Sequence, residues 1–154
     1  MWTQDREEAL QPETGADAIV DWSIFSQARS EMGPGFIRML GYFREDGGKS
    51  IAQIETAMRR KDAAAMVTPA STLGTEARQF GAEPLADLAE EIEEVARRCL
   101  EMRLSPDELL PSVAKLGALY ERTIALFDQE ANPLAQRRST GRGADAANQE
   151  FGRL

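Results

Sequence analysis

Histidine is absent from the 154 residues. With it goes the side chain that acts near neutral pH as general base, metal ligand or phosphoryl carrier. Catalytic triads, cysteine–histidine pairs, histidine-ligated zinc and phosphohistidine are excluded together. The single cysteine, Cys99, rules out an intrachain disulfide and removes the usual mark of an oxidising compartment, so a cytoplasmic location is expected. No apolar run approaches the roughly 18 residues a membrane-crossing helix needs. The opening Met1-Trp2-Thr3-Gln4-Asp5-Arg6-Glu7-Glu8 lacks the basic-then-apolar layout of a signal peptide, and no membrane association is expected. Positive charge is also in deficit. Eighteen Lys and Arg against 26 Asp and Glu leave a net charge of −8, which argues against a nucleic-acid surface and points to proteins as partners.

What is present is the composition of one globular domain, 42% hydrophobic and 29% charged. Residues 1–20 are polar, carry Pro12 and Gly15, show no sustained period, and read as a flexible leader. Asn132-Pro133 breaks the preceding pattern, and 132–154, with Gly141, Gly143, Gly152 and four arginines (Arg137, Arg138, Arg142, Arg153), reads as a flexible tail.

Between them, over 21–131, the apolar spacing is helical and no alternating run is long enough for a strand. Asp21 caps a short helix holding Phe25, Ala28 and Met32 that stops at Gly33. A second helix over 34–60 carries Phe36, Leu40, Phe43, Ile51, Ile54 and Met58 on one stripe, with Gly47-Gly48 marking a bend or a close approach by a neighbouring backbone. A third, over 62–81, is expected to kink or restart at Thr68-Pro69. Its inward stripe is Ala70, Leu73, Ala77 and Phe80. Ser71, Gly74, Thr75 and Arg78 fall on another stripe, roughly 130° around the helix, where solvent is expected.

In the fourth helix Leu85, Leu88, Ile92, Val95, Cys99 and Met102 keep a 3-4-3-4-3 spacing, while Asp87, Glu90, Glu91, Glu93 and Glu94 form a solvated acidic side. Ser105-Pro106-Asp107-Glu108 has the form of a capping box and opens a fifth helix with Leu109, Val113, Leu116, Tyr120, Ile124 and Phe127 inward. The economical all-α solution is an antiparallel four-helix bundle with the short extra N-terminal helix across one end.

Little chemistry fits such a bundle. A carboxylate-bridged metal pair asks for Glu-x-x-His from two helices, and there is no histidine. Cys99 lies on an apolar stripe, where a thiol stays protonated and inert. Gly141-Arg142-Gly143 has neither the strand nor the helix a phosphate loop requires. Neither a metal nor a cofactor is expected, and no enzymatic activity.

Residues 69–93 run Pro-Ala-Ser-Thr-Leu-Gly-Thr-Glu-Ala-Arg-Gln-Phe-Gly-Ala-Glu-Pro-Leu-Ala-Asp-Leu-Ala-Glu-Glu-Ile-Glu. This segment resembles the signature helix of the histidine-containing phosphotransfer (Hpt) family, whose pattern is roughly Ala-His-x-Leu-Lys-Gly/Ser-x-Ala/Ser-x-x-x-Gly-Ala followed by a Leu-x-x-Leu-x-x-x-Ile/Leu-Glu helix. The likeness holds at Ala70, Leu73, Ala77, Gly81, Ala82, Leu85, Leu88 and Glu93, and helix order agrees from about 21 to 130. It breaks at two positions. Ser71 stands where the family has its phosphoaccepting histidine, and Gly74 where it has a lysine one turn later. A serine hydroxyl needs an adjacent base, which Leu73, Gly74, Thr75 and Arg78 do not supply, and a phosphoserine ester is too stable for a relay. Losing the lysine removes a cation that would offset phosphate charge.

The resemblance therefore implies a pseudo-phosphotransfer module of a two-component phosphorelay that docks a response-regulator receiver domain or a histidine kinase without accepting phosphate. The implied docking face is Ser71, Gly74, Thr75, Arg78, Gln79, Gly81 and Ala82, flanked by Arg38 and Arg44 of the second helix, on a molecule the family likeness makes a monomer. Two alternatives stand beside it: a divergent or site-altered member of the active phosphotransfer proteins, and a helical adaptor that uses another face.

Overall fold

The computed structural model describes residues 19–131, and the leader before Ile19 and the tail from residue 132 lie outside the described residues. Five α-helices follow one another: α1 (Trp22–Met32), α2 (Phe36–Arg59), α3 (Ala63–Gln79), α4 (Glu83–Met102) and α5 (Leu110–Ala131). Single 3-10 turns at Gly33–Gly35 and Asp107–Leu109 lead into α2 and α5. Among the described residues there is no strand. Helices α2 to α5 form the expected antiparallel bundle, with α3 between α2 and α4, α5 closing the ring against the same two, and α1 laid against α2 and α3.

Local chemistry accounts for the helix ends. The Asp21 carboxylate accepts from the N–H groups of Ser23 and Ile24 at 3.0 and 3.3 Å, and α1 stops at Gly33 with φ +60°. The Asp62 carboxylate accepts from the Ala65 N–H at 3.1 Å and starts α3. Phe25 of α1 packs on Phe36 (ring centroids 5.1 Å apart) and Phe127 (5.2 Å), and Phe43 on Phe80 (5.6 Å), so aromatic rings from α1, α2, α5 and the end of α3 share one core. Each buried phenyl ring contributes about 1.5–3 kcal/mol through the area it withdraws from water.

Five expectations are corrected. The leader does not reach residue 20, since Ile19 and Val20 are buried and the N–H of Asp21 donates to the Gly81 carbonyl at 2.8 Å. Pro69 does not interrupt α3, which runs unbroken past it; the ring is buried, and packing on both flanks holds a helix that loses one hydrogen bond. The capping box at Ser105 does not form. The Ser105 hydroxyl donates to the Asp107 carboxylate at 2.8 Å and the chain enters α5 through the 3-10 turn.

In α4 the buried face is centred on Ala86, Ala89, Ile92 and Ala96 together with Leu85 and Cys99, whereas Met102 is exposed. Small side chains were outside the large-residue stripe, yet they let α3 and α4 approach closely. In α5, Thr123 is buried and Ile124 only partly; the Thr123 hydroxyl is satisfied by the Leu119 carbonyl at 2.8 Å.

Candidate functional site

Helix α3 buries Ala63, Met66, Ala70, Leu73 and Ala77, which fixes the rotation of everything else on it. On the stripe expected to see solvent, only Thr75 is fully exposed. Ser71 and Arg78 are partly buried and Gly74 is buried. The tight Gly81-Ala82 turn folds α4 back along this side. A Cβ at Gly74 would lie 3.5 Å from the Ala86 carbonyl oxygen, 3.6 Å from Ala89 Cβ and 3.7 Å from Glu90 Cγ, which is ordinary contact against α4. The Ser71 hydroxyl makes no hydrogen bond among the described residues, so no base activates it.

Arg78 is fully engaged by α4. Its Nη1 donates to Glu83 Oε1 at 2.6 Å, and its Nη2 to Asp87 Oδ1 at 3.1 Å and Glu90 Oε2 at 2.9 Å. The hydrogen bond it donates to Asp87 leads the interactions that raise its already high pKa, with Glu90 and Glu83 adding to it. One guanidinium thus serves three carboxylates. Of the acidic side of α4, Asp87, Glu90, Glu91 and Glu94 are exposed, while Glu93 is partly buried and accepts from Arg97 at 2.9 Å. The surface beside Ser71 is therefore negative apart from Arg78.

Gln79 is exposed, but Gly81 and Ala82 face inward. Gly81 has φ +86°, and a Cβ there would stand 2.5 Å from the Asp21 carbonyl oxygen and 3.3 Å from the Phe25 nitrogen. Its missing side chain makes room for this chain's own N-terminal segment. Nor does Arg44 flank the Ser71 stripe. It pairs with Asp128 of α5, one of two contacts measuring 3.0 Å from Nη1 to Oδ2, and lines a groove of about 420 Å³ between α2 and α5 with Leu40 and Ile124. Arg38 is exposed on α2 and pairs with nothing among the described residues. The sequence-derived face thus divides: Ser71, Thr75, Arg78 and Gln79 stay together on the α4 side of α3, Gly74 supports them from beneath, Gly81 and Ala82 join the core, and Arg44 belongs to another groove.

Two features escaped sequence reasoning. The partners of Arg78 lie 5, 9 and 12 residues ahead of it, spacings that meet only once the α3–α4 turn is known to be tight. Glu76 faces the other flank, with Oε1 buried and unpartnered; burial first, and the charge of Asp46 on α2 second, raise its pKa. Its signal was a carboxylate next to the inward Ala77. Among the described residues no group of three Cys, Asp or Glu side chains is arranged to hold a metal ion, and no helix is long and apolar enough to cross a membrane.

One family model matches this chain: the Hpt domain, over residues 38–129. The chain belongs to the Hpt domain family. Hpt domains are phosphotransfer modules of phosphorelay signalling that interact with kinases and response regulators. The crystal structure of histidine-containing phosphotransfer protein B (HptB) from Pseudomonas aeruginosa PAO1 aligns with a TM-score of 0.65 at 22% identity, covering 75% of this chain and 96% of that one. At that identity the likeness is one of fold. No curated protein matches the chain significantly. The chain carries no histidine at all.

Proposed function

We propose that this Hpt-family protein is a pseudo-phosphotransfer module, which engages a response-regulator receiver domain or a histidine kinase in the cytoplasm without carrying phosphate. One observation carries the reading: the Ser71 hydroxyl is hydrogen-bonded to no base among the described residues, and Arg78, the cation on its stripe of α3, is already paired with Glu83, Asp87 and Glu90. A phosphoryl group at Ser71 would meet uncompensated negative charge. Contact remains possible through Ser71, Thr75 and Gln79, which are small or uncharged and at least partly exposed.

Binding and transfer are separable by experiment. The chain is mixed with radiolabelled phospho-receiver and with autophosphorylated kinase from the same cell, and binding is followed by calorimetry. Binding without label on the chain supports the proposal, as does loss of binding in Thr75→Arg with the fold intact. Stable label on Ser71, or no binding to any receiver or kinase, refutes it.

The site-altered reading has one observation in its favour, since a Cβ at position 74 meets only ordinary contacts. Ser71→His with Gly74→Lys discriminates: label accepted from a phospho-receiver would show that the remainder of a transfer site is intact.

A further inference from the structure

We infer that the end of the bundle formed by the α2–α3 turn and the start of the α4–α5 connection docks an acidic segment of another protein that carries apolar side chains. The site is independent of Ser71, which lies about 12 Å further along α3 from Ala63 at the helical rise per residue.

Three observations converge there. Large apolar side chains are left in solvent within one short stretch: Leu100, Met102, Leu104 and Leu110 are each at least half exposed. Against the α2–α3 turn opens a shallow cavity of about 440 Å³ whose lining includes Leu100 and Leu104 together with Arg60, Lys61 and Arg103. Its charge opposes that of the whole chain. Arg60 and Arg103 have no ion-pair partner among the described residues, Lys61 reaches only Asp107 at 3.6 Å, and Asp62, which caps α3, is the one carboxylate in the lining against three cations.

The backbone supplies the third. Lys61 (φ 55°) and Arg103 (φ 57°) are the only non-glycine residues with positive φ among the described residues, and both line this cavity. Glycine is the unstrained choice at such positions. Both close a helix C-terminus, of α2 and of α4, through a left-handed turn, and so bring two long cations to the lining of one cavity.

Charge complementarity selects the occupant. An acidic strand or helix with leucine-like side chains can place carboxylates against Arg60 and Arg103 while an apolar group enters between Leu100 and Leu104. A second copy of this chain fits badly, because a two-fold contact would oppose the same arginines to each other.

The test titrates the ¹⁵N-labelled chain with the synthetic peptide Asp-Leu-Glu-Glu-Leu-Leu-Asp-Glu-Leu. A Lys-for-acid version and phosphatidylglycerol vesicles serve as parallel arms. The expected result is saturable shifts confined to 59–64 and 98–110, absent with the basic peptide. Arg103→Gly should weaken binding about tenfold while leaving the fold as stable or more so, because it removes charge and relieves the left-handed residue together. Leu104→Ser should weaken it as well without unfolding the bundle. The proposal is overturned by absence of binding at millimolar peptide, by shifts elsewhere on the bundle, by unchanged affinity in both variants, by binding to the vesicles alone, or by a concentration-dependent dimer that masks the same residues.

Discussion

Gly47 and Gly48 are adjacent in α2 and should answer the same substitution in opposite directions. A Cβ at position 47 would lie 2.7 Å from Tyr120 Cε1 and 3.2 Å from its hydroxyl oxygen. That ring cannot simply swing out: it is 5% exposed and its hydroxyl donates to the Arg44 carbonyl at 2.6 Å. Replacing glycine by alanine in a helix gains about 1 kcal/mol, but forcing a methyl group into a packed core costs about 1–3 kcal/mol, and displacing the hydroxyl forfeits about 1 kcal/mol more. The balance for Gly47→Ala is a loss of about 1–3 kcal/mol.

At position 48 the Cβ would stand 3.7 Å from the Tyr120 hydroxyl, ordinary contact, so Gly48→Ala should keep a helix-propensity gain of about 0.5–1 kcal/mol. Urea denaturation of the full chain, followed by helix circular dichroism, reads both signs from the shift in midpoint. Tyr120→Leu supplies the control, because without the ring the Gly47→Ala penalty should vanish as strong non-additivity. If both alanines stabilise, or if the penalty at 47 survives in the Tyr120→Leu background, the close approach of the ring is not what requires glycine there.

Glu76→Gln should stabilise the fold near neutral pH. Burial and Asp46 raise the Glu76 pKa above its ordinary 4.5. Folding therefore favours the protonated form, and the carboxylate weakens the fold increasingly as pH rises from 4.5 through the folded-state value. The advantage of glutamine should shrink to nothing at lower pH, and a pH-independent difference between the two chains would refute the assignment. Arg78→Gln leaves Glu83, Asp87 and Glu90 facing one another without a cation; since these pairs are partly exposed, the expected loss is about 1 kcal/mol in dilute buffer, fading in molar salt, and a salt-independent loss would contradict it. Asp21→Ala should cost about 1 kcal/mol by uncapping α1, and Asp21→Asn should restore most of it in the same denaturation assay.

Where a residue's fate depends on its own helix, the sequence was a good guide. Asp21, Gly33 and the inward stripe of α3 are decided within a few residues by capping, backbone conformation and period. What escaped depends on a second helix. Pro69 signals a break, yet neighbours on both sides keep α3 continuous. Alanines at 86, 89 and 96 carry no hydrophobic signal of their own, but they define the face on which α3 lies. Gly74 was expected in solvent for the same reason: a helical wheel gives the angle of a residue but not what the chain folds across it. The charges were legible as residues and not as a network, since Arg78 meets its carboxylates only through the turn at Gly81.

The contact between the N-terminal segment and the α3–α4 turn bears on how this unit can be excised. The family match opens at Arg38, after Ile19, Val20, Phe25 and Phe36 have already passed. All four are buried, Phe25 and Phe36 hold rings from three helices together, and the Asp21 N–H closes on the carbonyl of Gly81. A fragment trimmed to the family boundaries would expose one end of the core and leave an empty notch above Gly81. The smallest piece able to fold by itself therefore starts at or before Ile19, and any transplant of this bundle into another protein has to carry α1 with it.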